Sequence, residues 1–572
     1  MTHSSETHSL PSRTGGELIA DALIANGATT LFGVPGESFL ALLDAIHNRA
    51  DQLRFISCRQ EGGAAFAADA YAKLTGMPGV CVVTRGPGAC NASIGVHTAF
   101  QDSTPMVVLI GQVARNHRER EAFQEVEFRQ MFAPLAKWVT EVESAERLPE
   151  HLSHAFHLAQ SGRPGPVVLA LPEDVLVETA QVDDLHAAHR AVASAAEADV
   201  EAVRAALDGA RRPLCILGGP GWNAAAKSAF EDFARRNALP VVTSLRCQDY
   251  FDNHNSAYAG DLGIAAHPEI VARVHAADVL MVLGARLGDM TTQGYTAPVP
   301  PRSEQKLLHI YPDGVELGRV YYPDLPVVSD IATFALALSR QDLAGSAERA
   351  SWMAEARAQY EALLVAKPQP GALNMGVVMS ELSARLDGTA IVTNGAGNYS
   401  AWVHKYFQFR EYRTQLAPTS GAMGYGVPAA LAAKIAAPHR TVVCFAGDGC
   451  FQMNGQELAT IAQHGLDPLI LVINNGTYGT IRMHQEREYP GHVYATDLHN
   501  PDFAALARSY GLHGETIDRT EDVAEALDRA LNAGRGALVE CRVDPEGISP
   551  RATLRGIRDK ALERMRAPQE NA

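Results

Sequence analysis

The sequence lacks the features that mark several broad classes of protein. No apolar run approaches the roughly 20 residues that span a bilayer, and runs such as Val107 to Ile110 have only the length of a strand. The eight cysteines show no paired spacing, so we expect them to be reduced, buried and inert. Acidic residues outnumber basic ones by 65 to 49, and no cluster of Lys and Arg is interleaved with aromatic residues. We therefore expect no membrane span, no disulfide framework and no nucleic-acid partner.

A secretory signal is also missing from the beginning of the sequence. Residues 1–16 are polar and rich in Ser, Thr and His, without the apolar core of a signal peptide. We expect a frayed tail there and a cytoplasmic protein.

The chain is long and apolar enough for several cores, with 572 residues and 47% hydrophobic content. Apolar strand-like segments alternate with amphipathic helices, which predicts an α/β fold of three doubly wound, parallel-sheet domains. Residues 178–199 and 339–370 interrupt this rhythm and are the predicted linkers. They divide the chain into predicted domains at 14–180, 195–340 and 370–550. Residues 550–572 are basic and helical in pattern, which fits an arm, a lid or a solvated helix.

Two short motifs near the end of the chain carry the strongest chemical signal. Gly447-Asp448-Gly449 follows a buried strand predicted at 441–446, and Asn474-Asn475 follows the next one along the chain, predicted at 468–473. Ligands of open α/β sheets bind at the carboxyl ends of strands, where both motifs fall. Mg²⁺ prefers oxygen ligands, and Asp448, Asn475 and a nearby backbone carbonyl can supply them. The alternative is an ordinary strand-ending turn followed by an Asn-rich loop.

The stretch from Gly447 to Gly479 resembles the thiamine diphosphate signature of pyruvate-handling enzymes. By that resemblance Asp448, the side chain of Asn475 and the carbonyl of Thr477 bind Mg²⁺. Gly449 and Cys450 are then expected to donate backbone N–H groups to the diphosphate.

A second segment, Arg59 to Ala72, is a small-residue helix that follows a predicted strand at 55–58. Glu61 lies at the start of this helix, where a carboxylate is ordinarily a partner of the helix dipole. The segment resembles the one that carries the activating glutamate of thiamine diphosphate enzymes. In that chemistry the carboxylate bonds a pyrimidine nitrogen of the cofactor and so promotes proton removal from the thiazolium ring.

Further turns extend this resemblance along the first predicted domain. They are Phe32 to Glu37, Thr84 to Ala89, Gly111 to Val113 and Ala122 to Glu125, which includes Gln124. In this order, with Lys137 thirteen residues after Gln124, they resemble the acetohydroxyacid synthases, also called acetolactate synthases. The resemblance runs from about Gly15 to Asp544 and is looser in the middle domain.

The resemblance also assigns cofactor contacts in the third domain. The segment Thr419 to Pro428 is a glycine-rich turn before a helix. Its Gly421 is expected to accept a hydrogen bond from the aminopyrimidine, and Met423 is expected to hold the cofactor bent. Ala396, Gly397 and Asn398 match a second loop at the diphosphate, through backbone groups alone. Since Glu61 and Asp448 lie in separate domains, the family's arrangement implies a homodimer or homotetramer with sites between subunits.

The middle domain departs from the family pattern for FAD. Acetohydroxyacid synthases bind FAD through turns that here contain Pro220, Met290 and Tyr311 in place of a glycine, an arginine and an aspartate. Arg163 and Arg286 remain from the expected FAD contacts. FAD binding is therefore left open by the sequence.

The substrate end departs as well. His484 replaces the tryptophan that shapes the acceptor pocket in biosynthetic members, and Glu37 replaces a glycine where decarboxylases place a proton-transfer acid. The resemblance thus implies Glu61, Glu37, Gln124 and His484 as catalytic or pocket residues. The expected activity is decarboxylation of a 2-oxo acid with transfer of the remaining group to a second carbonyl. The alternatives are a simple decarboxylase or another C–C lyase, or a non-catalytic nucleotide-binding protein; the substrates and any regulatory subunit are not identified by the sequence.

Overall fold

A computed structural model describes residues 10–183, 186–264 and 266–566. The chain divides into two compact units, Met1–Ala191 and Val192–Ala572. The division falls within the first predicted linker, residues 178–199, of which residues 184–185 lie outside the described part. Most of the predicted amino-terminal tail, residues 1–9, lies outside it too. The second unit contains both the middle and the third sheet, and the three predicted domain boundaries stay a prediction.

The first unit is built on a six-stranded sheet in which every pairing is parallel. In spatial order its strands are Arg54–Ser57, Thr30–Gly33, Gly79–Val83, Met106–Gln112, Pro166–Pro172 and Trp138–Glu141. The surrounding helices are Gly15–Ala25, Leu40–His47, Glu61–Thr75, Pro87–Asp102, Phe128–Phe132, Leu148–Gln160 and Glu173–Val177. The short strands Arg13–Thr14 and Thr179–Ala180 pair antiparallel and bring the two ends of the unit together.

The middle sheet, in the second unit, has six parallel strands in chain order 3-2-1-4-5-6. These strands are Tyr258–Leu262, Val241–Ser244, Pro213–Leu217, Val279–Leu283, Lys306–Tyr311 and Leu325–Val328. The associated helices are Glu197–Asp208, Ala224–Arg236, Pro268–Ala276, Ile331–Leu338 and Ala347–Leu363. This strand order is that of a dinucleotide-binding fold and confirms the prediction of a Rossmann-like middle domain.

The third sheet repeats the strand order of the first, 2-1-3-4-6-5 in chain order. Its strands are Gln415–Leu416, Ile391–Asn394, Val442–Gly447, Leu469–Asn474, Ala537–Arg542 and His513–Ile517. Its helices are Met375–Arg385, Ser400–Tyr406, Gly426–Ala436, Asp448–Phe451, Leu458–Gln463, Gly479–Glu488, Phe503–Ser509, Val523–Leu531 and Leu554–Arg566. The order reverses between Ile391–Asn394 and Val442–Gly447, which pair directly. Such a switch point opens a crevice at the carboxyl ends of its strands. The three parallel sheets confirm the predicted fold class.

Two predicted features differ in detail from the structure. The second predicted linker is helical at Ala347–Leu363, as its charged, Ala-rich sequence indicates, but Tyr360 of this helix packs in the core of the middle sheet, so the segment is part of that core. All eight cysteines are free, but Cys90 is exposed on its helix, against the expectation that all are buried. In the described part of the chain, no helix combines the length and the apolar character needed to cross a membrane.

The carboxy-terminal helix Leu554–Arg566 is docked on the third sheet's unit. Arg558 donates to Glu486, whose side chain is fully buried and also pairs with Arg482. These hydrogen bonds and the nearby cations lower the pKa of Glu486 to about 2. The described part of this tail is thus a surface helix held by an ion pair, with Leu554 and Ala561 as its buried residues, whereas residues 567–572 lie outside the described residues.

Candidate active site

Asp448 is the buried acidic group at the switch point of the third sheet. It is the first residue after the strand Val442–Gly447, and only 4% of its surface is exposed. Its Oδ1 accepts from the N–H of Gly449 at 2.8 Å, and its Oδ2 accepts from the N–H of Gly476 at 2.8 Å. Burial raises the pKa of Asp448, while these hydrogen bonds act in the opposite direction. No Lys or Arg ion pair to this carboxylate occurs within the described ranges, so a cation would supply the missing positive charge.

The loop after the neighbouring strand brings the second half of the motif to the same place. Asn474 ends the strand Leu469–Asn474 and its amide donates to Glu540, which commits it to the sheet. Asn475 Oδ1 accepts from the N–H of Thr477 at 3.1 Å, and Thr477 is fixed by a hydrogen bond from its hydroxyl to the carbonyl of Thr496. Asn475 and Thr477 thus stand beside Asp448 with oxygen atoms of the kind that Mg²⁺ prefers.

A cavity of about 740 Å³ opens at this edge of the sheet. Its volume is that of a pocket for a cofactor together with a small substrate. The residues predicted from the sequence that line it are Ala396, Gly397, Asn398, Gly421, Met423, Gly447, Asp448, Gly449, Cys450, Asn475 and Thr477. The structure therefore brings together every thiamine diphosphate and metal residue that was predicted in the third domain.

The loop Ala396 to Asn398 follows the strand on the other side of the switch point. Asn398 donates its backbone N–H to Thr480 Oγ1 at 3.1 Å and accepts from the same hydroxyl through Oδ1 at 2.9 Å. The preceding carbonyl of Gly395 accepts from Arg246 Nη1 at 3.0 Å. Neither Thr480 nor Arg246 was expected from the sequence, since neither belongs to a recognised motif and only the fold brings them to this loop.

The glycine-rich turn of the third domain contributes the opposite wall. Gly421 has a φ of 73°, a left-handed conformation that favours glycine, and Met423 is half-buried against the core of the third sheet. Cys450 is buried, and its sulfur accepts from the N–H of Gly424 at 3.1 Å. Burial raises the pKa of this thiol, which keeps it protonated and structural.

Glu61 occupies the first position of the helix Glu61–Thr75 in the first unit. The helix is capped by the side chain of Gln60, which accepts from the N–H of Gly63 at 2.9 Å, so Glu61 is not needed as the cap. Asn91 Nδ2 donates to Glu61 Oε2 at 2.9 Å and orients the carboxylate. Glu61 also raises the pKa of the buried Cys81 thiol, second to the effect of burial. Asn91, on the helix Pro87–Asp102, thus holds the carboxylate through Oε2. Among the described residues no hydrogen-bond donor to Oε1 is present, so this oxygen can bind a ligand.

Glu37 and Gln124 lie on turns of the same unit. Glu37 Oε1 accepts from Arg85 Nη2 at 2.8 Å, and its side chain is 65% exposed. Gln124 has a φ of 65°, in the left-handed region that is unusual for a residue other than glycine. Its backbone approaches Gly86 so closely that a Cβ on Gly86 would lie 2.7 Å from the Gln124 carbonyl oxygen. Such a strained backbone is typical of functional turns, and the roles of Glu37 and Gln124 stay predictions.

The expected FAD residues have structural partners. Arg163 donates to the carbonyl of Phe100 at 2.7 Å and to Ser103 Oγ at 3.0 Å. In the middle domain, Gly219 has a φ of 70°, and a Cβ there would lie 1.6 Å from the carbonyl oxygen of Gly284. The glycines of these two turns are therefore explained by the packing of one turn on the other. Arg286, two residues after Gly284, is half-buried, and FAD binding stays untested.

His484 lies on the helix Gly479–Glu488, which forms one wall of the cavity. Thr480, Met483 and Arg487 of this helix line the cavity, whereas His484 is exposed and is not among the lining residues. Arg487 Nη1 lies 3.5 Å from His484 Nδ1. The described chain thus places His484 outside the cavity wall, next to a lining arginine, and its contact with an acceptor substrate stays a prediction.

Three family models match the chain. They are the thiamine pyrophosphate enzyme N-terminal TPP binding domain at residues 13–131, the central domain at 200–338 and the C-terminal TPP binding domain at 395–541. The matched regions contain Glu61 in the first case and Asp448 with Asn475 in the last.

Curated relatives match nearly the whole chain. The acetolactate synthase large subunit of Parasynechococcus marenigrum (strain WH8102) is 34% identical over 92% of this chain and 87% of its own. The acetolactate synthase isozyme 2 large subunit of Escherichia coli (strain K12) is 30% identical over 96% of this chain and 100% of its own. The acetolactate synthase large subunit of Haemophilus influenzae is 31% identical over 97% and 99%. These matches confirm the resemblance inferred from the motifs.

Proposed function

The chain belongs to the thiamine pyrophosphate enzymes, in the acetolactate synthase large-subunit family, and we propose that it decarboxylates a 2-oxo acid and transfers the remaining group to a second carbonyl compound. The observation that carries this proposal is the buried Asp448 at the switch point, which opens into a cavity of about 740 Å³. A buried carboxylate is costly unless it is paired, so its presence here supports a cation site.

We propose that Mg²⁺ binds to Asp448, the side-chain oxygen of Asn475 and the carbonyl of Thr477. The diphosphate is then held by the backbone of Ala396 to Asn398 and by the N–H of Cys450, with Gly447 giving close approach. The N–H of Gly449, predicted from the sequence as a second diphosphate donor, donates to Asp448 Oδ1 in the structure and would have to be shared between the two. Gly421 and Met423 support the aminopyrimidine side. When bound, thiamine diphosphate supplies an electron sink for the charge left behind as CO₂ departs.

The remaining roles belong to residues of the first unit. Glu61 holds a proton-exchanging position at the pyrimidine ring, and Asn91 orients its carboxylate. Glu61 and Asp448 lie in different compact units, and the family brings the two together at a subunit interface. We therefore propose at least a homodimer, with a homotetramer as the larger possibility. The names of the relatives contain "large subunit", but no partner chain is proposed from that word alone.

A simple 2-oxo acid decarboxylase is the second candidate, and Glu37 is the residue that favours it. An acid at this turn suits proton delivery to the intermediate that carboligation would instead join to an acceptor. Against it, the carboxylate of Glu37 is already engaged by Arg85, whose Nη2 lies 2.8 Å from Glu37 Oε1.

Incubation with thiamine diphosphate, Mg²⁺ and a panel of 2-oxo acids tests the proposal. We expect CO₂ release and a 2-hydroxyketone product, whereas an aldehyde as the main product would favour the simple decarboxylase. Asp448→Asn should abolish Mg²⁺-dependent turnover, and Asp518→Asn, at an exposed aspartate directly after the strand His513–Ile517, is the matched control. The proposal fails if no 2-oxo acid yields CO₂, or if Asp448→Asn leaves the rate unchanged.

A further inference from the structure

Two arginines line the cavity that contains Asp448. Arg487 belongs to the helix Gly479–Glu488, and Arg551 lies in the segment before the carboxy-terminal helix. Acidic side chains outnumber basic ones by 65 to 49, so two arginines in one cavity call for a physical explanation.

The helix fixes how far Arg487 stands from the diphosphate loop. Thr480 is bonded to Asn398 of that loop through two hydrogen bonds. Arg487 follows seven residues later, which at 1.5 Å per residue corresponds to about 10 Å along the helix axis. Thr480, Met483 and Arg487 lie within about 60° of one another around the helix, since each residue advances by about 100°. One helix face thus carries, in order, a link to the diphosphate loop, an apolar side chain and a cation.

Within the described residues, Arg487 stands apart from the ion pairs of its own helix. The neighbouring carboxylate, Glu486, forms ion pairs with Arg482 and Arg558 instead. Throughout residues 10–183, 186–264 and 266–566, Arg487 forms no ion pair with a carboxylate. Its guanidinium instead lies beside His484, with 3.5 Å between Arg487 Nη1 and His484 Nδ1. A half-buried guanidinium in a cavity, with no carboxylate of its own, is suited to an anionic ligand.

Arg551 belongs to a second positive group at the same cavity. Lys405 lies near Arg551 and Lys367. Burial lowers the pKa of Lys405 most, and the positive charges of Lys367 and Arg551 lower it further. His267 faces the same group, and its pKa is lowered by burial and then by Arg551, despite the nearby Glu269. The nearby carboxylates are the half-buried Asp261, which interacts electrostatically with Arg551, and Asp544, which lines the cavity and accepts from the N–H of Glu546.

We propose that the cavity takes a 2-oxo acid that carries a second anionic group, a carboxylate or a phosphate, and that Arg487 binds this group with support from Arg551. The proposal rests on the decarboxylase chemistry proposed above. The departing carboxylate is a poor partner for Arg487, because a cation bound to it stabilises the substrate more than the transition state in which its charge is lost. The retained anion, bound at Arg487 about two helical turns from the residue that contacts the diphosphate loop, gains from the same contact in both states and sets substrate choice.

The test compares substrates with one and two anionic groups, using the full chain with thiamine diphosphate and Mg²⁺. The probes are 2-oxobutyrate, 2-oxoglutarate and 4-phosphono-2-oxobutyrate. We expect kcat/KM for at least one dianion to exceed that for 2-oxobutyrate by about tenfold or more. Arg487→Gln should remove about tenfold or more of the dianion rate and change 2-oxobutyrate by less than about threefold. The better of the two dianions distinguishes a carboxylate from a phosphate.

Two controls make the result decisive. Arg555→Gln removes the same charge from an exposed position outside the cavity and should change neither substrate. Arg487→Lys retains the charge and should keep part of the dianion preference. This variant still tests the proposal if Arg487→Gln fails to fold. Equal use of all three substrates by the wild type, or an equal loss for both classes in Arg487→Gln, overturns the proposal.

A binding measurement separates failure of this proposal from failure of the proposed function. If no 2-oxo acid releases CO₂, titration calorimetry with 2-oxoglutarate and 2-oxobutyrate still tests the anion site. Tighter binding of 2-oxoglutarate that is lost in Arg487→Gln supports the site without the chemistry. Equal binding of both probes, or binding that survives the substitution, overturns it.

Discussion

Asn500 Nδ2 donates a hydrogen bond of 2.8 Å to Asp448 Oδ2, and through its second hydrogen it donates at 2.8 Å to Asn474 Oδ1. One amide group thus joins the two halves of the motif, which lie 26 residues apart on adjacent strands. The side chain of Asn474 is used in this network, so of these two adjacent asparagines it is Asn475 that lines the cavity. The rigid placement of Asp448 depends on a residue outside the motif.

Asn500→Ala should therefore weaken metal and cofactor binding without removing a ligand. Loss of a residue that orients a metal ligand typically costs about 10–100-fold in affinity, and we expect a loss in that range for Mg²⁺-dependent binding of thiamine diphosphate. Thermal stabilisation by added cofactor and Mg²⁺ measures it. Asn48→Ala, at an exposed position of the first unit, is the control. Unchanged stabilisation in Asn500→Ala would show that Asp448 holds its position unaided.

Glu61→Gln should leave the fold and cofactor binding largely intact and lower turnover by about 10² or more, because a proton-exchanging group is lost. The amide oxygen of the glutamine can still accept from Asn91, so the local structure is preserved. Steady-state CO₂ release gives the rate, and Glu146→Gln, exposed in the same unit, serves for comparison. A near-native rate would remove Glu61 from the mechanism.

Much of the third domain could be predicted from the sequence because its strands are continuous apolar runs. The strands expected at 441–446 and 468–473 lie at Val442–Gly447 and Leu469–Asn474, each within one residue. Parallel order then places Asp448 and Asn475 at one edge, as the motif required.

What the sequence did not predict depends on side chains that meet only after folding. Asn500 and Thr480 carry no local signal, since each acts through a partner distant in the sequence. Helix periodicity would not by itself fix the position of His484, which was assigned by resemblance to the family. Its direction on the helix lies between those of Thr480 and Ile481, which both line the cavity, yet His484 itself is exposed. How deeply a side chain sits along the cavity wall depends on how the whole helix packs, and the periodicity of the sequence carries no information about that packing.

The pair Arg558–Glu486 should make docking of the carboxy-terminal helix depend on pH. The pKa of Glu486 is lowered from 4.5 to about 2, so the folded protein keeps it ionised where the unfolded chain binds a proton. Its contribution to stability is full above about pH 4.5 and is lost as the pH falls towards 2. Arg558→Gln should lower the free energy of unfolding at pH 7 by about 1–3 kcal/mol.

The difference between Arg558→Gln and the wild type should shrink as the pH is lowered through this range. Urea unfolding at pH 7, 4 and 3 measures it, with Arg555→Gln as the exposed control on the same helix. A difference that stays constant with pH would assign the loss to packing of the arginine stem.

The purified protein should be at most faintly yellow. Pro220, Met290 and Tyr311 replace residues of the FAD motifs, and the glycines at 219 and 284 are explained by packing of the turns. Arg163→Ala should lower the melting temperature because two hydrogen bonds to Phe100 and Ser103 are lost. Absorbance near 450 nm decides the point: stoichiometric flavin that persists in Arg286→Ala would place the FAD site elsewhere.

Glu37 and His484 are the residues by which the substrate end departs from the biosynthetic family, and they give the last prediction. An acceptor that covers the exposed His484 on binding buries its ring donor, and an apolar acceptor then leaves that donor unpaired at a cost of about 1–3 kcal/mol. His484→Trp should therefore shift selectivity towards 2-oxobutyrate as acceptor. Because His484 is exposed, the larger ring should change stability by less than about 0.5 kcal/mol, so a change in products reports on the pocket.

Competition between two acceptors measures the ratio of products in the wild type, in His484→Trp and in Met483→Leu, which keeps an apolar side chain on the cavity wall. Met483→Leu should leave the ratio close to that of the wild type. In the same assay Glu37→Gln should slow product formation more than donor binding, because the carboxylate is proposed to move a proton and not to hold the substrate. An unchanged ratio in His484→Trp would mean that the histidine, which the described chain places outside the cavity wall, does not face the acceptor in the working enzyme.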